Sequence, residues 1–340
     1  MIHEPEFGGV YLKMTIDDFN ALGYLYGDSV NVRFSNGYTL ENLPYYNGYY
    51  VNAGEPLLIA YPGYDYIKAA VNYGEDLWET AQLTEADTAT VSLQERGAYL
   101  DMQNARDIHY FDERDRYDSD EIFANFRMVS VGNLKDGVLC RAASPCDNQH
   151  NRASYVDALI RQAGVRCILN LSDNESKIEG YIAAEDFASP YFLSLYQDGH
   201  VIPLAMNMNY SSDEFREKIA YGFTEMAKQE GPYLVHCTEG KDRTGFMCML
   251  LEALAGASYD EIVADYMTTY DNYYGITQGS DAAKYTLIKE MNIDAMLQTV
   301  VGDGVDCKSA DLAACVADYL QQAGMTADAV AALRDRLVKQ

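Results

Sequence analysis

The chain is poor in basic residues, tryptophan and proline. Its 340 residues include 25 Lys and Arg against 52 Asp and Glu, which gives a formal net charge of −27, and they include 1 Trp and 8 Pro. This deficit of positive charge argues against nucleic acid as a partner, because no basic face is available to displace counterions from a phosphate backbone. Any anion-binding site must be locally basic, since the protein as a whole repels anions.

Long apolar runs are missing too. No stretch of about 18 consecutive apolar residues occurs, so we expect no transmembrane helix. Residues 1–5 lack a basic region followed by an apolar one, so no signal peptide is expected. The expectation is a soluble protein, and its compartment, cytoplasmic or secreted, and its oligomeric state stay open.

Metal-binding patterns are also absent from the sequence. No Cys-x2-Cys pair occurs with a partner histidine spacing, so we expect no metal and no cofactor. The cysteine count is odd, and Cys140/Cys146 and Cys307/Cys315 are pairs that can form local disulfides in an oxidising compartment. The cysteines are Cys140, Cys146, Cys167, Cys237, Cys248, Cys307 and Cys315.

Composition and turns divide the chain. The length allows one or two domains. Residues 1–105 are rich in tyrosine, and residues 30–34, 57–60 and 90–93 resemble strands, so we predict a small β-rich accessory domain with a type I′ turn at Asn36-Gly37. Its tyrosines can form a ligand-binding face, but core packing is the favoured interpretation. The charged stretch 106–121 is predicted to be a linker.

Residues 122–340 alternate between apolar strands and amphipathic helices. The pattern predicts an α/β domain with a central, mostly parallel sheet flanked by helices and a helical C-terminal part. Capping boxes are predicted at Ser211/Glu214 and Ser258/Glu261, and further helices after Ser309 and Thr326. The predicted strands are 165–171, 200–204 and 233–236, and the predicted helices before residue 258 are 152–163 and 211–230.

One segment carries chemistry: His236-Cys237-Thr238-Glu239-Gly240-Lys241-Asp242-Arg243-Thr244-Gly245, called the 236–245 loop below. It joins a predicted strand to a predicted apolar helix, and backbone N–H groups at a helix N-terminus bind anions. The same field favours thiolate at Cys237. The planar guanidinium of Arg243 can hold two phosphate oxygens. The pattern indicates attack of a thiolate on a bound phosphoryl group.

The loop resembles the H-C-x5-R-[ST] signature of the cysteine-dependent protein tyrosine phosphatases. Its Gly-Lys-Asp-Arg-Thr-Gly variant is similar to the bacterial tyrosine/lipid phosphatase branch, as are Asn125-Phe126-Arg127, Arg141 to Ser144, and Asp265-Tyr266. The resemblance implies a catalytic domain over residues 122–340. It implies an enzyme, a phosphoric monoester hydrolase that acts on phosphotyrosine, and it allows phosphoserine, phosphothreonine or phosphoinositide substrates. Its partners are then phosphorylated proteins or phosphoinositides.

Roles follow for the loop residues. Cys237 is expected to be the nucleophile that forms a phosphocysteine, and Arg243 the phosphate clamp. His236 is expected to support the loop by hydrogen bonding. The remaining positions are expected to bind phosphate: Thr238, Glu239, Gly240 as the bend, Lys241 as a second cation at the mouth, and Thr244 as a hydroxyl donor to the thiolate.

The general acid is the open assignment. The family places an aspartate about thirty residues before the cysteine, where it protonates the leaving oxygen, but residues 204–210 here contain no carboxylate. We therefore predict Asp242, inside the loop, as the acid. Asp213 is set aside because an acid in a first helical turn complements the dipole, and Asp173 and Asp198 are lower-ranked candidates.

Four alternatives remain. A catalytically weak phosphate-binding module would recruit partners through the N-terminal domain, and an inositol polyphosphate phosphatase would need further cations such as Lys177, Arg141 and Arg152. A sulfur transferase of the rhodanese type is disfavoured, because its arginine comes one position earlier. A purely structural loop is disfavoured, because cations there oppose the helix dipole unless an anion binds.

Overall fold

The computed structural model describes residues 1–5 and 8–339, and the chain divides into two compact units, Met1–Ile108 and His109–Gln340. The linker prediction for residues 106–121 is wrong from His109 onward, because these residues belong to the second unit. There Arg114 Nε donates to Asp120 across 2.5 Å, and the Tyr117 hydroxyl bonds both backbone groups of Phe111. The charges of this stretch therefore pair locally.

The first unit is built on a seven-stranded sheet of order β1-β2-β6-β5-β4-β3-β7, with only the β4–β5 pair parallel among the described strands. The β-rich prediction for this part is confirmed. Its elements are β1 (Ile2–Glu4), β2 (Gly9–Tyr11), α1 (Ile16–Ala21), β3 (Ser29–Phe34), β4 (Thr39–Tyr46), β5 (Pro56–Ile59), β6 (Lys68–Val71), α2 (Leu77–Thr80), β7 (Ala89–Glu95) and α3 (Leu100–Arg106).

The β3–β4 hairpin differs from its predicted turn type. Gly37 has φ of 96°, but Asn36 does not have positive φ, which a type I′ turn requires at both central residues. Phe34 accepts from Gly37 N and donates to the carbonyl of Tyr38, so the loop has three residues. The Asn36 side chain donates to Ala81 O across 2.8 Å, which holds the residue in place.

The tyrosines of this unit pack largely as core. Tyr45 and Tyr46 are buried, and burial raises the pKa of both phenols. Tyr49 accepts a hydrogen bond from the buried Lys68 ammonium, whose main partner is Glu4 at 2.7 Å. These contacts favour the core-packing interpretation over a ligand-binding face.

The second unit is built on a five-stranded sheet of order β11-β10-β12-β9-β8, parallel except for the β8–β9 pair. The predicted parallel sheet with flanking helices is confirmed. Its strands are β8 (Arg127–Met128), β9 (Leu139–Ala142), β10 (Cys167–Asn170), β11 (Val201–Pro203) and β12 (Tyr233–His236).

Helices surround this sheet and form the C-terminal part. They are a 3₁₀ helix (Arg114–Arg116), α4 (Asp120–Phe123), α5 (Ala153–Gln162), α6 (Glu175–Ile182), α7 (Pro190–Gln197), α8 (Asp213–Lys228), α9 (Asp242–Leu254), α10 (Tyr259–Tyr274), α11 (Ala282–Lys289), a π-helix (Glu290–Asp294), α12 (Ala295–Val301), α13 (Leu312–Gln322) and α14 (Ala327–Leu337). None of the helices in the described ranges is long and apolar enough to cross a membrane.

Helix starts test the capping predictions. The box at Ser258 and Glu261 is confirmed at the start of α10. The box at Ser211 is wrong by one residue, because Ser212 is the N-cap of α8 and its hydroxyl accepts from Phe215 N across 3.2 Å. The helices between 282 and 301 were not expected, since no strong capping or apolar period marks them.

Parallel pairing fixes where functional side chains can meet. β12 lies between β10 and β9, so the segments after these three strands leave the sheet at the same, carboxyl edge. The segment after β11 joins them there, with Ala205 N donating to Asp173 O across 3.2 Å. The helix that follows β12 is α9, which is buried on all sides from Thr244 to Leu254. The 236–245 loop therefore sits at the centre of this edge.

Candidate active site

The loop bends sharply between Cys237, which is 3% exposed, and the first residue of α9, Asp242. Gly240 adopts φ of +69°, and a Cβ added there would lie 2.2 Å from Ala142 O. Both the left-handed backbone and the contact with the β9 segment exclude a side chain. Glycine is therefore needed for the turn that brings the loop back over Cys237.

Three side chains hold the carbonyl oxygens of the loop. Arg141 Nη2 donates to Gly240 O across 3.1 Å and to Lys241 O across 3.3 Å. Asn125 Nδ2 donates to Glu239 O and Gly240 O across 3.3 and 3.2 Å, and the Tyr273 hydroxyl donates to Glu239 O across 2.8 Å.

The held carbonyls set the direction of the amides. In a trans peptide the C=O and N–H groups point in opposite directions, so the N–H groups that follow these carbonyls face away from Arg141 and Asn125. Within the described part of the chain, the backbone N–H groups of residues 238–241 donate to no protein acceptor. Unpaired N–H groups at a helix start form an anion-binding cradle.

A buried ionic network supports the cradle from α10. Asp265 binds Arg127 Nε at 2.7 Å and Arg141 Nη1 at 2.6 Å. Burial alone would raise the pKa of Asp265, but the two guanidiniums hold it well below its usual range. Glu252 on α9 is 1% exposed, and burial together with Asp265 raises its pKa well above the usual range. Residues far apart in sequence thus meet behind the loop.

His236 and Thr244 flank the cysteine–arginine core of the loop. His236 is fully buried with Nδ1 3.2 Å from Cys237 O, and burial lowers its pKa to about 4. The imidazole is therefore neutral, as expected of a supporting group. Thr244 is also buried, and its hydroxyl has no hydrogen-bond partner among the described residues, so the expected bond to Cys237 is not formed.

Arg243 joins the loop to the segment after β11. Its Nη1 donates to Met206 O across 3.0 Å, and Nη2 reaches Thr238 Oγ1 at 3.5 Å. Its Nε is buried and has no hydrogen-bond partner within the described ranges. A planar guanidinium with a free Nε–H beside the cradle can bind an oxyanion in bidentate geometry.

Lys241 departs from the expectation of a free second cation. Its Nζ lies 3.0 Å from Glu239 Oε2 and 3.7 Å from Asp242 Oδ2, and it donates to the Tyr274 hydroxyl across 3.3 Å. Burial opposes its charge, but the two carboxylates raise the pKa of the ammonium well above its usual range. The cation is charged and already paired. The sequence could not show this, because a contact between side chains two positions apart depends on how the loop bends.

A model of the tyrosine phosphatase family matches residues 100–339, well over half of the chain. The chain belongs to the tyrosine phosphatase family. The resemblance inferred from the 236–245 loop is thereby confirmed.

Curated relatives match over shorter segments. A putative tyrosine-protein phosphatase of Cupriavidus necator is 47% identical over 53 residues, covering 16% of this chain and 19% of the relative. The triple specificity protein phosphatase PtpB of Mycobacterium tuberculosis is 34% identical over 71 residues, covering 18% and 26%. The matches thus span about a fifth to a quarter of these relatives.

Among solved structures, the core catalytic domain of the PP-IP phosphatase SIW14 from S. cerevisiae aligns with 51% of this chain and 88% of its own. The identity is 20% and the TM-score is 0.29. A TM-score this low carries no argument about the fold, which rests on the strand order above.

The carboxylates proposed as the acid of this tyrosine phosphatase occupy different places. Asp242 opens α9, and its charge contributes to the raised pKa values of the buried Tyr210 and Tyr266, so it faces both rings. Asp213 points to solvent, with its side chain 93% exposed. Asp198 follows α7, just before β11, and therefore lies at the amino edge of the parallel sheet, away from Cys237.

Asp173 is a stronger candidate than the sequence suggested. It follows β10 at the carboxyl edge and is 2% exposed. Its Oδ1 accepts from the Tyr181 hydroxyl across 3.3 Å, while Oδ2 has no partner among the described residues. Burial raises the pKa of this carboxyl. The neighbouring Ser172 hydroxyl accepts from Thr238 Oγ1 of the loop across 3.4 Å.

Several tyrosines around the phosphatase loop escaped the sequence reasoning. Tyr273 holds Glu239 O, and Tyr274 binds Lys241. Tyr110 stacks on Tyr273 with ring centroids 5.0 Å apart. The available signal was the tyrosine-rich end of α10, which was passed over because strand and helix tyrosines are most often packing residues.

Proposed function

We propose that the chain is a phosphatase that hydrolyses phosphotyrosine and related phosphate monoesters through a phosphocysteine intermediate on Cys237. The carrying observation is the cradle of unpaired N–H groups at residues 238–241, held open by Arg141, Asn125 and Tyr273. Family membership supports the proposal, and the names of the curated relatives include tyrosine-protein phosphatase activity.

The proposed reaction has two steps. The Cys237 thiolate attacks phosphorus, the bond to the leaving oxygen breaks, and that oxygen takes a proton from Asp242. Water then attacks the phosphocysteine, gives a proton to the Asp242 carboxylate, and releases phosphate and the thiolate. Arg243 Nε and one Nη bind two phosphate oxygens, and the backbone N–H groups of the loop bind the others. These donors gain strength as charge develops in the transition state.

Two alternatives lose support. A binding module without catalysis does not need both a cysteine nucleophile and an arginine with a free Nε–H, yet Cys237 and Arg243 are both in place. An inositol polyphosphate phosphatase needs extra cations at the mouth. Of the residues considered for this, Arg141 is buried against Asp265, and Arg152 is 2% exposed and bound to Asp112 at 2.7 Å.

The test is a Cys237→Ser variant assayed with p-nitrophenyl phosphate and a phosphotyrosine peptide. A serine hydroxyl ionises far less readily than a thiol, so turnover should vanish. Binding of the phosphotyrosine peptide, measured by calorimetry, should persist because the cradle is unchanged. Cys315→Ser, on the partly exposed face of α13, is the matched control and should retain wild-type turnover. Substantial turnover by Cys237→Ser would overturn the proposal.

A further inference from the structure

The charged side chains of the 236–245 loop cancel before the thiolate is counted. Glu239 and Asp242 carry two negative charges, and Lys241 and Arg243 carry two positive charges. Arg243 is turned toward Met206 and Thr238, so Lys241 is the loop cation nearest to both carboxylates. The pairing distances are 3.0 Å to Glu239 and 3.7 Å to Asp242. The shorter one makes Glu239 the main counter-charge.

Glu239 is fixed in this position from two sides. Its backbone carbonyl is held by Tyr273 and Asn125. Its carboxylate interacts with Lys241 and with the Tyr110 hydroxyl, and although burial opposes ionisation, these partners hold its pKa below the usual range. Glu239 is therefore ionised at neutral pH and cannot swing freely away from Lys241.

We propose that Glu239 is the specificity-determining residue of the site, and that it restricts the enzyme to singly phosphorylated substrates by neutralising Lys241. The inference rests on the phosphatase function proposed above. Glu239 and Lys241 retain 28% and 17% side-chain exposure, so both face the solvent side of the loop, where a second phosphate would approach. Such a phosphate meets a carboxylate and a paired ammonium instead of a free cation.

The surroundings offer no other obvious cation to compensate. Arg141 and Arg127 share Asp265, and Arg152 is enclosed by the rings of Tyr110, Phe123 and Tyr273 while bound to Asp112. The net charge of −27 adds repulsion that grows with the charge of the substrate. Rejection by a like charge is an effective source of specificity.

The experiment compares kcat/KM for inositol hexakisphosphate with kcat/KM for a phosphotyrosine peptide. Wild type should favour the peptide strongly. Glu239→Gln should raise the inositol-to-peptide ratio about ten-fold, as removal of one repulsive charge and release of Lys241 predict. Adding Lys241→Met to this variant should return the ratio to the wild-type value. Asp271→Asn, an exposed position one turn before Tyr274 on α10, makes the same charge change and should leave the ratio unaltered.

An ionic-strength series on the wild-type protein needs no variant and guards against a misfolded Glu239→Gln. Screening of repulsion should raise the ratio as salt increases from low values to about 0.5 M. A salt-independent ratio, or a Glu239→Gln ratio equal to that of wild type, would overturn the inference. So would a wild type that hydrolyses both substrates equally well. Absence of turnover by wild type on the peptide and on p-nitrophenyl phosphate would instead overturn the proposed function, and the inference with it.

Discussion

The guanidinium of Arg141 donates from Nη2 to the backbone carbonyl oxygen of Gly240 across 3.1 Å. Arg141 lies on β9 and Gly240 in the 236–245 loop, 99 positions later in the chain. The bond turns a loop carbonyl toward β9 and so directs the next N–H toward the cradle. An oxyanion site is effective when its donors are already oriented before the charge develops. Arg141 is thus a positioning residue for the cradle.

Arg141→Lys should weaken the cradle without unfolding the protein. A lysine can still contact Asp265, but it cannot also donate to Gly240 O and Lys241 O, because it lacks the planar fork. We expect a loss of about 10- to 100-fold in kcat/KM for p-nitrophenyl phosphate, the range found when supporting partners of a site are removed. Inhibition by inorganic phosphate should weaken in parallel. The control is Arg166→Lys, a 65% exposed position paired with Glu230; unchanged phosphate inhibition in Arg141→Lys would contradict the role.

Arg243→Lys should be more damaging. Lysine replaces a bidentate fork by a point charge, and it loses the bond that connects the loop to Met206 O. We expect turnover of p-nitrophenyl phosphate to fall by about 10²-fold or more, the scale for removal of a transition-state donor. Steady-state kinetics check this, and circular dichroism shows whether the fold persists. A folded variant with near wild-type turnover would place the guanidinium off the phosphate.

Local patterns predicted much of this molecule, and the limits have physical causes. The 236–245 loop, the strand before it and the capping box at Ser258 are short-range features, so adjacent residues carry the signal. The pairing of Arg141 with Asp265, or of Lys241 with Glu239, depends on tertiary geometry that periodicity does not encode. The linker prediction failed for the same reason: a charged stretch looks solvated until its partners, such as Arg152 for Asp112, are known.

Glu252→Gln should change how stability depends on pH. Burial and the nearby Asp265 raise the pKa of Glu252 well above its usual range. Between the ordinary glutamate pKa and the raised one, the folded protein holds a proton that the unfolded chain has released. The free energy of unfolding therefore falls as pH rises through that window, by about 1.4 kcal/mol for each pH unit within it.

The variant lacks this titration. We expect Glu252→Gln and wild type to have similar free energies of unfolding at low pH, with the variant becoming the more stable of the two as pH rises. Urea unfolding at several pH values from 5 to 8 measures the difference. Parallel pH dependences for the two proteins would show that Glu252 is not protonated in the folded state.

The acid should be Asp242, and leaving-group chemistry can separate it from the other carboxylates. A p-nitrophenoxide leaves with little help, whereas a tyrosyl oxygen needs a proton. Asp242→Asn should therefore slow hydrolysis of a phosphotyrosine peptide far more than that of p-nitrophenyl phosphate, and it should remove the basic limb of the pH–rate profile. Asp213→Asn is the matched control: its carboxylate is 93% exposed in the first turn of α8, so its only expected effect is a small loss of helix stability. The critical comparison is Asp173→Asn, because that carboxyl is buried at the same edge of the sheet with one oxygen unpaired. If Asp173→Asn reproduces the leaving-group effect and Asp242→Asn does not, the proton comes from the segment after β10, and Asp242 serves to hold the charge of Lys241 instead.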